Sequence, residues 1–176
     1  IVGVGNVRNI SFSPEFLRAK TAWEDLLNAD EMLIGGGDIN FWTNLFKKCY
    51  DNPINVLTMS VEELILIKYF RNSFLATKVS FFNQIYDLCE AANVDYKNVA
   101  KGIGMDKRIG KSHTDVNTER GFGGHCFPKD TKAILQTAGS FDVSLSLIEE
   151  SNDYNINIRK EIWNVWRLSP EMLIRN

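Results

Sequence analysis

The chain has 176 residues, a formal net charge of −2 and 44% hydrophobic residues. This length suits one domain of ordinary size, or one domain and a fragment, and the composition is typical of a soluble globular protein. Because no basic excess exists to neutralise phosphates or a lipid surface, the composition excludes general nucleic-acid and membrane-surface binders.

The first residues, Ile1 to Gly5, predict a buried strand that runs into a glycine turn, as at the start of a dinucleotide-binding unit. Gly3 and Gly5 occupy two places of the dinucleotide fingerprint, but Arg8 stands where its third glycine belongs. Too few residues follow the turn to complete a dinucleotide-binding half. The pattern therefore predicts only a remnant of such a unit.

The next elements are short. A helix is predicted from Ser13, with this serine as N-cap and a proline at the first helical position. Residues 31–34 predict a strand that stops at three glycines, and Asp38 can cap the helix that follows. Residues 54–57 predict a second short strand. Together these elements predict a small α/β segment.

The strongest helix signal begins at Ser60, which forms a capping box with Glu63, and no glycine or proline follows until past Asn93. Apolar residues occupy one stripe and also other faces: Leu64, Ile67, Phe70, Phe74, Phe81, Ile85 and Leu88, with Leu66, Tyr69, Leu75, Phe82 and Tyr86. A helix apolar nearly all round is buried on more than one side. We interpret this as a surface covered by a partner subunit; the alternative is the central helix of a monomeric bundle.

Three further helices make the expected fold mainly α. Their predicted bounds are Asp95 to Gly102 or Gly104, Pro128 to near Gly139, and a start at Ser146, where Glu149 completes a second capping box ahead of Ile156, Trp163 and Trp166. Residues 107–125, which bear several glycines, predict a loop.

The stretch GFGGHCFPKD at residues 121–130 places Cys126 after a glycine-rich run and just before a predicted helix. A helix N-terminus and the charge of Lys129 favour a thiolate, and glycines let a ligand approach the backbone, as a covalent nucleophile requires. The alternative is a small buried residue at a tight turn. Cys49 and Cys89 lie on apolar helix faces and are interpreted as core residues.

The three cysteines are widely spaced and odd in number. No metal-ligand spacing accompanies them, and His113 and His125 do not complete one. No apolar run reaches the length of a membrane span, and no signal peptide is visible. We therefore expect a reducing, cytoplasmic setting, no bound metal and no membrane association.

Several polar residues stand out from their surroundings. Lys68 and Asn72 are four apart on the long helix and could together hold an oxyanion or a sugar hydroxyl; the alternative is a solvated stripe. Glu15 would lie in a helix first turn, where complementing the helix dipole is sufficient explanation. Arg108, in the predicted loop, could bind a phosphate through two hydrogen bonds or simply face solvent.

Four stretches, in this order, resemble the UDP-glucose dehydrogenase family within the wider UDP-sugar and GDP-mannose dehydrogenases: SPEFLR (13–18), EELILIKYFRNSFLATKVSFFNQIYDLCE (62–90), GIGMDKRIG (102–110) and GFGGHCFPKD (121–130). The resemblance runs from about Ser13 to about Asn157. It implies a mainly α fold whose helical dimerisation and substrate domain, residues 59–167, is built on one long central helix. A remnant of an N-terminal NAD-binding α/β domain, residues 1–58, precedes it, and residues 168–176 form a tail.

The resemblance also implies an activity, the NAD-dependent oxidation of UDP-glucose to UDP-glucuronate. Cys126 matches the nucleophile that captures the aldehyde as a thiohemiacetal, which then becomes a thioester. Lys68 and Asn72 match the pair that steadies the oxyanion. Asp130 matches the aspartate that works with the lysine through water, and Glu15 the glutamate implicated in thioester hydrolysis.

Further residues match binding positions of the family. Substrate contacts are implied for Phe16, Leu17, Arg18, Phe122 and Gly123, and for Arg108, which would reach the substrate across a homodimer interface; cofactor contacts are assigned to Gly3, Gly5 and Lys129. Most of the family's NAD-binding domain is missing between Val7 and Ser13. The alternative function is therefore a truncated, non-catalytic module for dimerisation and sugar-nucleotide binding. A third possibility is a related UDP- or GDP-sugar dehydrogenase.

Overall fold

A computed structural model describes residues 10–18, 20–50 and 53–168, with side chains as far as residue 162. The predicted strand at residues 1–5 and the side chains of Trp163 and Trp166 lie outside the described residues. The chain forms two compact units, the first ending at Phe70 and the second beginning at Arg71. Helices predominate, as the sequence predicts.

The described elements, in chain order, are α1 (Ala22–Leu27), β1 (Glu31–Ile34), α2 (Ile39–Cys49), β2 (Asn55–Thr58), α3 (Val61–Ala91), α4 (Tyr96–Gly104), α5 (Cys126–Gly139) and α6 (Ser146–Leu168).

The first unit is organised around a two-stranded parallel sheet. β1 pairs with β2 in a register that sets Leu33 opposite Leu57, and α2 connects the two strands. The side-chain carboxylate of Asp38 accepts a hydrogen bond of 2.9 Å from the backbone N–H of Phe41, which confirms the predicted cap. β1 has the predicted bounds, whereas β2 begins one residue later than predicted.

The helix predicted from Ser13 is wrong. Residues 13–18 have no helical structure, and the first helix, α1, begins only at Ala22. Phe12 and Gly35 exchange two backbone hydrogen bonds of 2.8 and 2.9 Å, and the Ser13 hydroxyl donates to the carbonyl oxygen of Leu33 at 2.7 Å. Because this hydroxyl bonds to β1, it does not cap a helix, and the local capping signal is overridden by a long-range contact.

Helix α3 carries apolar surface on more than one side, as predicted. Its N-terminus has the predicted capping box, in which the N–H of Glu63 donates to Ser60 Oγ at 3.2 Å and the N–H of Ser60 donates to Glu63 Oε2 at 2.8 Å. Leu64 is completely buried in this helix. Large apolar side chains remain exposed along it: Leu66, Phe70, Phe74, Phe81 and Leu88.

The second unit packs helices around a small apolar core. Phe82 and Cys89 of α3 contact Tyr96 and Ala100 of α4, with a rim of partly buried side chains around them. The carboxylate of Asp95 accepts from the N–H of Lys97 at 2.8 Å, so α4 begins where the sequence predicts. α5 packs against α6. The loop predicted at residues 107–125 is confirmed.

Three local predictions need correction. α5 begins at Cys126, two residues before the predicted start, so this cysteine lies inside the first helical turn. Pro128 is tolerated there because the first-turn amides have no helical partners. Ser146 is the first residue of α6 rather than its N-cap. Cys49 is exposed, which corrects its interpretation as a core residue, whereas Cys89 is buried as predicted.

We expect alkaline pH to weaken the fold through Tyr96. Its hydroxyl donates to the carbonyl oxygen of Thr114 at 2.5 Å, and burial raises the pKa of Tyr96 to about 12. The folded chain therefore holds this proton more tightly than the unfolded chain. The resulting stability is fully present below pH of about 10 and is lost as pH rises through about 12.

Urea unfolding at about pH 8 and about pH 11 tests this expectation. The variant Tyr96→Phe should be less stable by about 1 kcal/mol at the lower pH, because a buried hydrogen bond is lost. Its stability should then fall less than that of the parent between the two pH values. Equal losses in the two proteins would contradict the assignment.

Candidate functional site

Cys126 lies at the junction of the glycine run, residues 121–124, and helix α5. The side chain is exposed, so a reagent or ligand can reach the thiol. The side chain of His125, the N-cap residue, makes no hydrogen bond to the first turn of α5, where backbone amides lack helical partners. These amides and the helix dipole favour negative charge at this position. A ligand can therefore approach both the Cys126 side chain and the free amides of the first helical turn.

Asp130 is completely buried one turn after Cys126 on α5. Its carboxylate accepts a hydrogen bond of 2.6 Å from Nδ2 of Asn72 and forms an ion pair with Lys129. A buried carboxylate without such donors would be strongly destabilising. Residues four apart on a helix share a face, so Asp130 and Cys126 lie on the same side of α5. The second unit thus brings together Asn72 and Asp130, two of the predicted site residues.

Lys68 and Glu15 form a pair within the first unit. The distance between Lys68 Nζ and Glu15 Oε2 is 2.5 Å. Both side chains retain access to solvent, so the pair contributes little to stability. Glu15 does not lie in a helix first turn, which corrects the interpretation of its charge as a complement to a helix dipole. A lysine 53 residues away in the chain is its partner instead.

Arg108 lies in the loop between α4 and α5 and is 89% exposed. Its guanidinium pairs with the carboxylate of Asp106 at 2.5 Å. Nζ of Lys78 fixes the following backbone by donating to the carbonyl oxygens of Ile109, at 2.7 Å, and Gly110, at 3.1 Å. Burial lowers the pKa of Lys78. The loop is therefore held to α3 while the Arg108 side chain remains open to solvent.

The remaining predicted substrate residues are divided between the units. In the first unit, Phe16 and Leu17 are half-buried and Arg18 is exposed. Arg18 forms an ion pair of 2.5 Å with Asp25, and its hydrogen bonds lower the pKa of that carboxyl well below the usual range.

In the second unit, Phe122 is buried and Gly123 is exposed. A Cβ atom added at Gly123 would lie 3.2 Å from the guanidinium of Arg159, so the loop backbone approaches α6 closely. Of the predicted cofactor residues, Gly3 and Gly5 lie outside the described residues. Lys129 is described, with a largely exposed side chain that pairs with Asp130.

The glycine run is held by residues that the sequence did not single out. The side-chain oxygen of Asn83 accepts from the N–H of Gly121 at 3.0 Å. The side-chain oxygen of Asn155 accepts from the N–H of Phe122 at 2.6 Å. Arg120 bonds to Asn83 as well. The available signal was the presence of amide side chains on helices that otherwise bury apolar residues.

Two other classes of site are absent from the described part of the chain. None of its helices combines the length and apolarity that crossing a bilayer requires. Nor do three or more His, Cys, Asp or Glu side chains come together there as ligands of a metal ion would.

Comparison with known proteins gives consistent matches. Residues 62–157 match the UDP-glucose/GDP-mannose dehydrogenase family, central domain. The UDP-glucose 6-dehydrogenase of Rickettsia bellii is 43% identical over 130 residues, which is 72% of this chain and 29% of that protein. The UDP-glucose 6-dehydrogenase of Rhizobium meliloti is 39% identical over 155 residues, 84% of this chain and 35% of that protein.

A solved structure shows the same relation. The UDP-glucose dehydrogenase of the hyperthermophilic archaeon Pyrobaculum islandicum superposes with a TM-score of 0.76 at 34% identity. The alignment covers 92% of this chain and 37% of that one. This chain therefore spans about a third of the length of the relatives it matches.

The hydrogen bond between Asn72 and Asp130 predicts how a substitution of Asn72 changes the free energy of unfolding. Asn72→Ala should destabilise the chain by about 1–3 kcal/mol, because a buried carboxylate loses a donor. Asn98→Ala is the matched control, since Nδ2 of Asn98 donates to Asp95 at 2.9 Å on the exposed surface. That variant should change stability by no more than about 0.5 kcal/mol. Equal effects in urea unfolding would argue against the importance of burial at Asp130.

Proposed function

Because the chain belongs to the UDP-glucose/GDP-mannose dehydrogenase family, we propose that the protein oxidises UDP-glucose to UDP-glucuronate with NAD. The observation that carries this proposal is the exposed thiol of Cys126, which shares one face of α5 with a buried carboxylate bonded to Asn72. The identities of 43% and 39% to UDP-glucose 6-dehydrogenases favour this substrate over other sugar nucleotides.

NAD is the cofactor that the family implies, and two molecules of it would accept the two hydrides that the oxidation releases, one each. The described residues do not by themselves form a site for it. Their parallel sheet has two strands, fewer than a dinucleotide-binding half requires. Gly3 and Gly5 remain proposed cofactor residues outside the described part, and Lys129 remains proposed because of its position beside Asp130.

The proposed chemistry centres on Cys126. Its thiolate attacks the carbonyl carbon of the aldehyde intermediate, and the new C–S bond converts the carbonyl oxygen into the oxyanion of a thiohemiacetal. A primary amide has two N–H donors, of which Asp130 accepts one from Asn72. The second N–H can donate to the oxyanion. Asp130 thus orients the amide of Asn72 so that its NH2 group, and not its oxygen, serves the reaction.

We assign Lys68 and Glu15 to the same reaction. The ammonium group of Lys68 has three N–H donors, one of which Glu15 accepts in the described structure. The other donors can stabilise the oxyanion. Loss of a hydride from the thiohemiacetal, which NAD would accept, leaves a thioester on Cys126. The carboxylate of Glu15 would act as the general base that takes a proton from water. The resulting hydroxide adds to the thioester carbon, and the C–S bond breaks to release the acid and the Cys126 thiolate.

Substrate binding is proposed for the residues that match the family. Phe16, Leu17 and Arg18 would lie along the sugar nucleotide, and Phe122 and Gly123 would cover it. Arg108 is proposed to reach the substrate of a second subunit, which agrees with its 89% exposed side chain. The proposed domains remain residues 1–58, 59–167 and 168–176.

A homodimer built on α3 forms part of the proposal. Phe70, Phe74, Phe81 and Leu88 are all exposed on this helix in the single chain. Exposed apolar surface of this extent on one helix marks an interaction surface. A second copy of α3 offers the same apolar side chains and would bury both sets.

The alternative function is a non-catalytic module for dimerisation and sugar-nucleotide binding. It is supported by the apolar side chains exposed on α3, because dimerisation requires such a surface and catalysis does not. Such a module would dimerise and bind UDP-glucose without turning it over.

Formation of NADH distinguishes the enzyme from the module. The purified protein, given NAD and UDP-glucose, should form two NADH per sugar, measured by absorbance near 340 nm. Cys126→Ala should reduce the rate at least about 1,000-fold, because the nucleophile is lost. Cys49→Ala, which removes another exposed thiol, should leave it unchanged. A folded dimer that binds UDP-glucose without forming NADH would sink the enzyme proposal and support the module.

The dimer proposal predicts the effect of charge on α3. Phe74→Glu should shift the protein from dimer to monomer in sedimentation velocity, because burial of an unpaired carboxylate is unfavourable. Leu147→Glu is the control, since Leu147 is also exposed but lies at the start of α6. That variant should remain dimeric. Monomeric parent protein, or dissociation by both substitutions, would contradict an interface on α3.

A further inference from the structure

We infer that Arg120 is a positioning residue that clamps the backbone of the glycine run and so holds Cys126 in a productive orientation. The inference rests on the proposed function only in that Cys126 is taken as the reacting thiol. Arg120 precedes Cys126 by six residues and lies just outside the stretch at residues 121–130 that carries part of the family resemblance.

The backbone at Arg120 has a conformation that needs external support. Its φ is +55°, and that of Gly121 is +59°, so two consecutive residues are in the left-handed region. This region is unfavourable for a residue with a long side chain, and such a conformation persists only where surrounding contacts determine it. The contacts must therefore come from neighbouring elements.

The guanidinium of Arg120 supplies them through α3. Nε donates to the side-chain oxygen of Asn83 at 2.9 Å, and Nη2 donates to the carbonyl oxygen of the same residue at 3.2 Å. Nη2 also pairs with Asp87 at 2.5 Å. The group lies 4.6 Å from the ring centre of Tyr86, within the range of a cation–π contact. The side chain is only 13% exposed, so these bonds are largely shielded from water.

The main chain of the same segment is fixed from both sides. Nη1 of Arg159, on α6, donates to the carbonyl oxygen of Arg120 at 3.0 Å. The N–H groups of Gly121 and Phe122 donate to the nearly buried amides of Asn83 and Asn155. A Cβ atom at Gly121 would lie 2.2 Å from the side-chain oxygen of Asn155, so the loop is seated directly on α6. The clamp thus joins α3, the loop and α6.

The clamp explains why an arginine stands at this position. Asn83 and Asp87 are one helical turn apart on α3, and the planar guanidinium can bond to both at once. A lysine ammonium lacks that fork. Between the clamped Phe122 and Cys126 lie only Gly123, Gly124 and one further residue, so the clamp restricts the start of α5. Arg120 contacts no reacting atom and acts through the backbone.

The test compares Arg120→Ala and Arg120→Lys with the parent, all in a Cys49→Ser background so that Cys126 is the exposed thiol. The first readout is the alkylation rate of Cys126 by iodoacetamide, assigned by peptide mass spectrometry. Because Cys126 is already exposed, access does not limit this rate. Disorder of the first turn of α5 should lower the alkylation rate by at least about threefold in either variant, because the free amides of that turn favour negative charge on the sulfur.

The second readout is kcat, which should fall at least about tenfold in Arg120→Ala, with incomplete recovery in Arg120→Lys. Lys132→Ala, an exposed substitution on α5, is the control and should match the parent in both readouts. Thermal melting identifies variants that fail to fold. If Arg120→Ala does not fold, Arg120→Lys carries the test alone.

The outcomes separate the inference from the proposed function. Folded Arg120 variants that alkylate and turn over like the parent would show that Arg120 is merely structural and overturn the inference. If the parent forms no NADH, the proposed function fails, and the alkylation rates alone decide. A slower reaction of Cys126 then supports the clamp, and an unchanged rate overturns it.

Discussion

The buried carboxylate of Asp130 is the constraint on which the second unit depends. A charge with no exposure to solvent requires donors, and Asn72 supplies one from α3 while Asp130 itself lies on α5. The bond therefore fixes these two helices against each other at one point. Cys126 begins α5 one turn earlier on the same face, so the bond that holds Asp130 in place also restricts the position of the thiol. The burial of Asp130 and the placement of Cys126 thus have a common origin.

In the loop between α4 and α5 it is the backbone, rather than a side chain, that needs hydrogen-bond partners. No regular secondary structure pairs its N–H and C=O groups. Backbone groups removed from water need partners, and side chains provide them. Lys78 bonds the carbonyl groups near Arg108, whereas Asn83 and Asn155 bond the amides of the glycine run. A long irregular segment is thereby ordered without a core of its own. Its glycines are needed where α6 approaches most closely, as at Gly121.

Hydrogen bonds between residues close in the sequence were predictable, whereas contacts between residues far apart in the sequence were not. The capping box at Ser60 and the cap at Asp38 involve atoms three residues apart, so their residue types suffice to predict them. The serine at position 13 carries the same local signal, yet its hydroxyl bonds to a strand 20 residues away. The exposure of Cys49 also depends on distant elements, because helix periodicity shows which face is apolar but not whether another element covers that face.

The polar residues embedded in the apolar helix α3 illustrate why the candidate site was only partly predictable. The sequence shows these polar residues among apolar neighbours, and this pattern singles out Lys68 and Asn72 as candidates. Their partners lie 53 and 58 residues away, and those of Asn83 lie 37 and 38 residues away. No periodicity links positions at such separations. A buried amide on an apolar helix therefore predicts that a partner exists, while only the folded chain shows whether that partner is a buried carboxylate, as at Asp130, or the loop backbone that precedes Cys126.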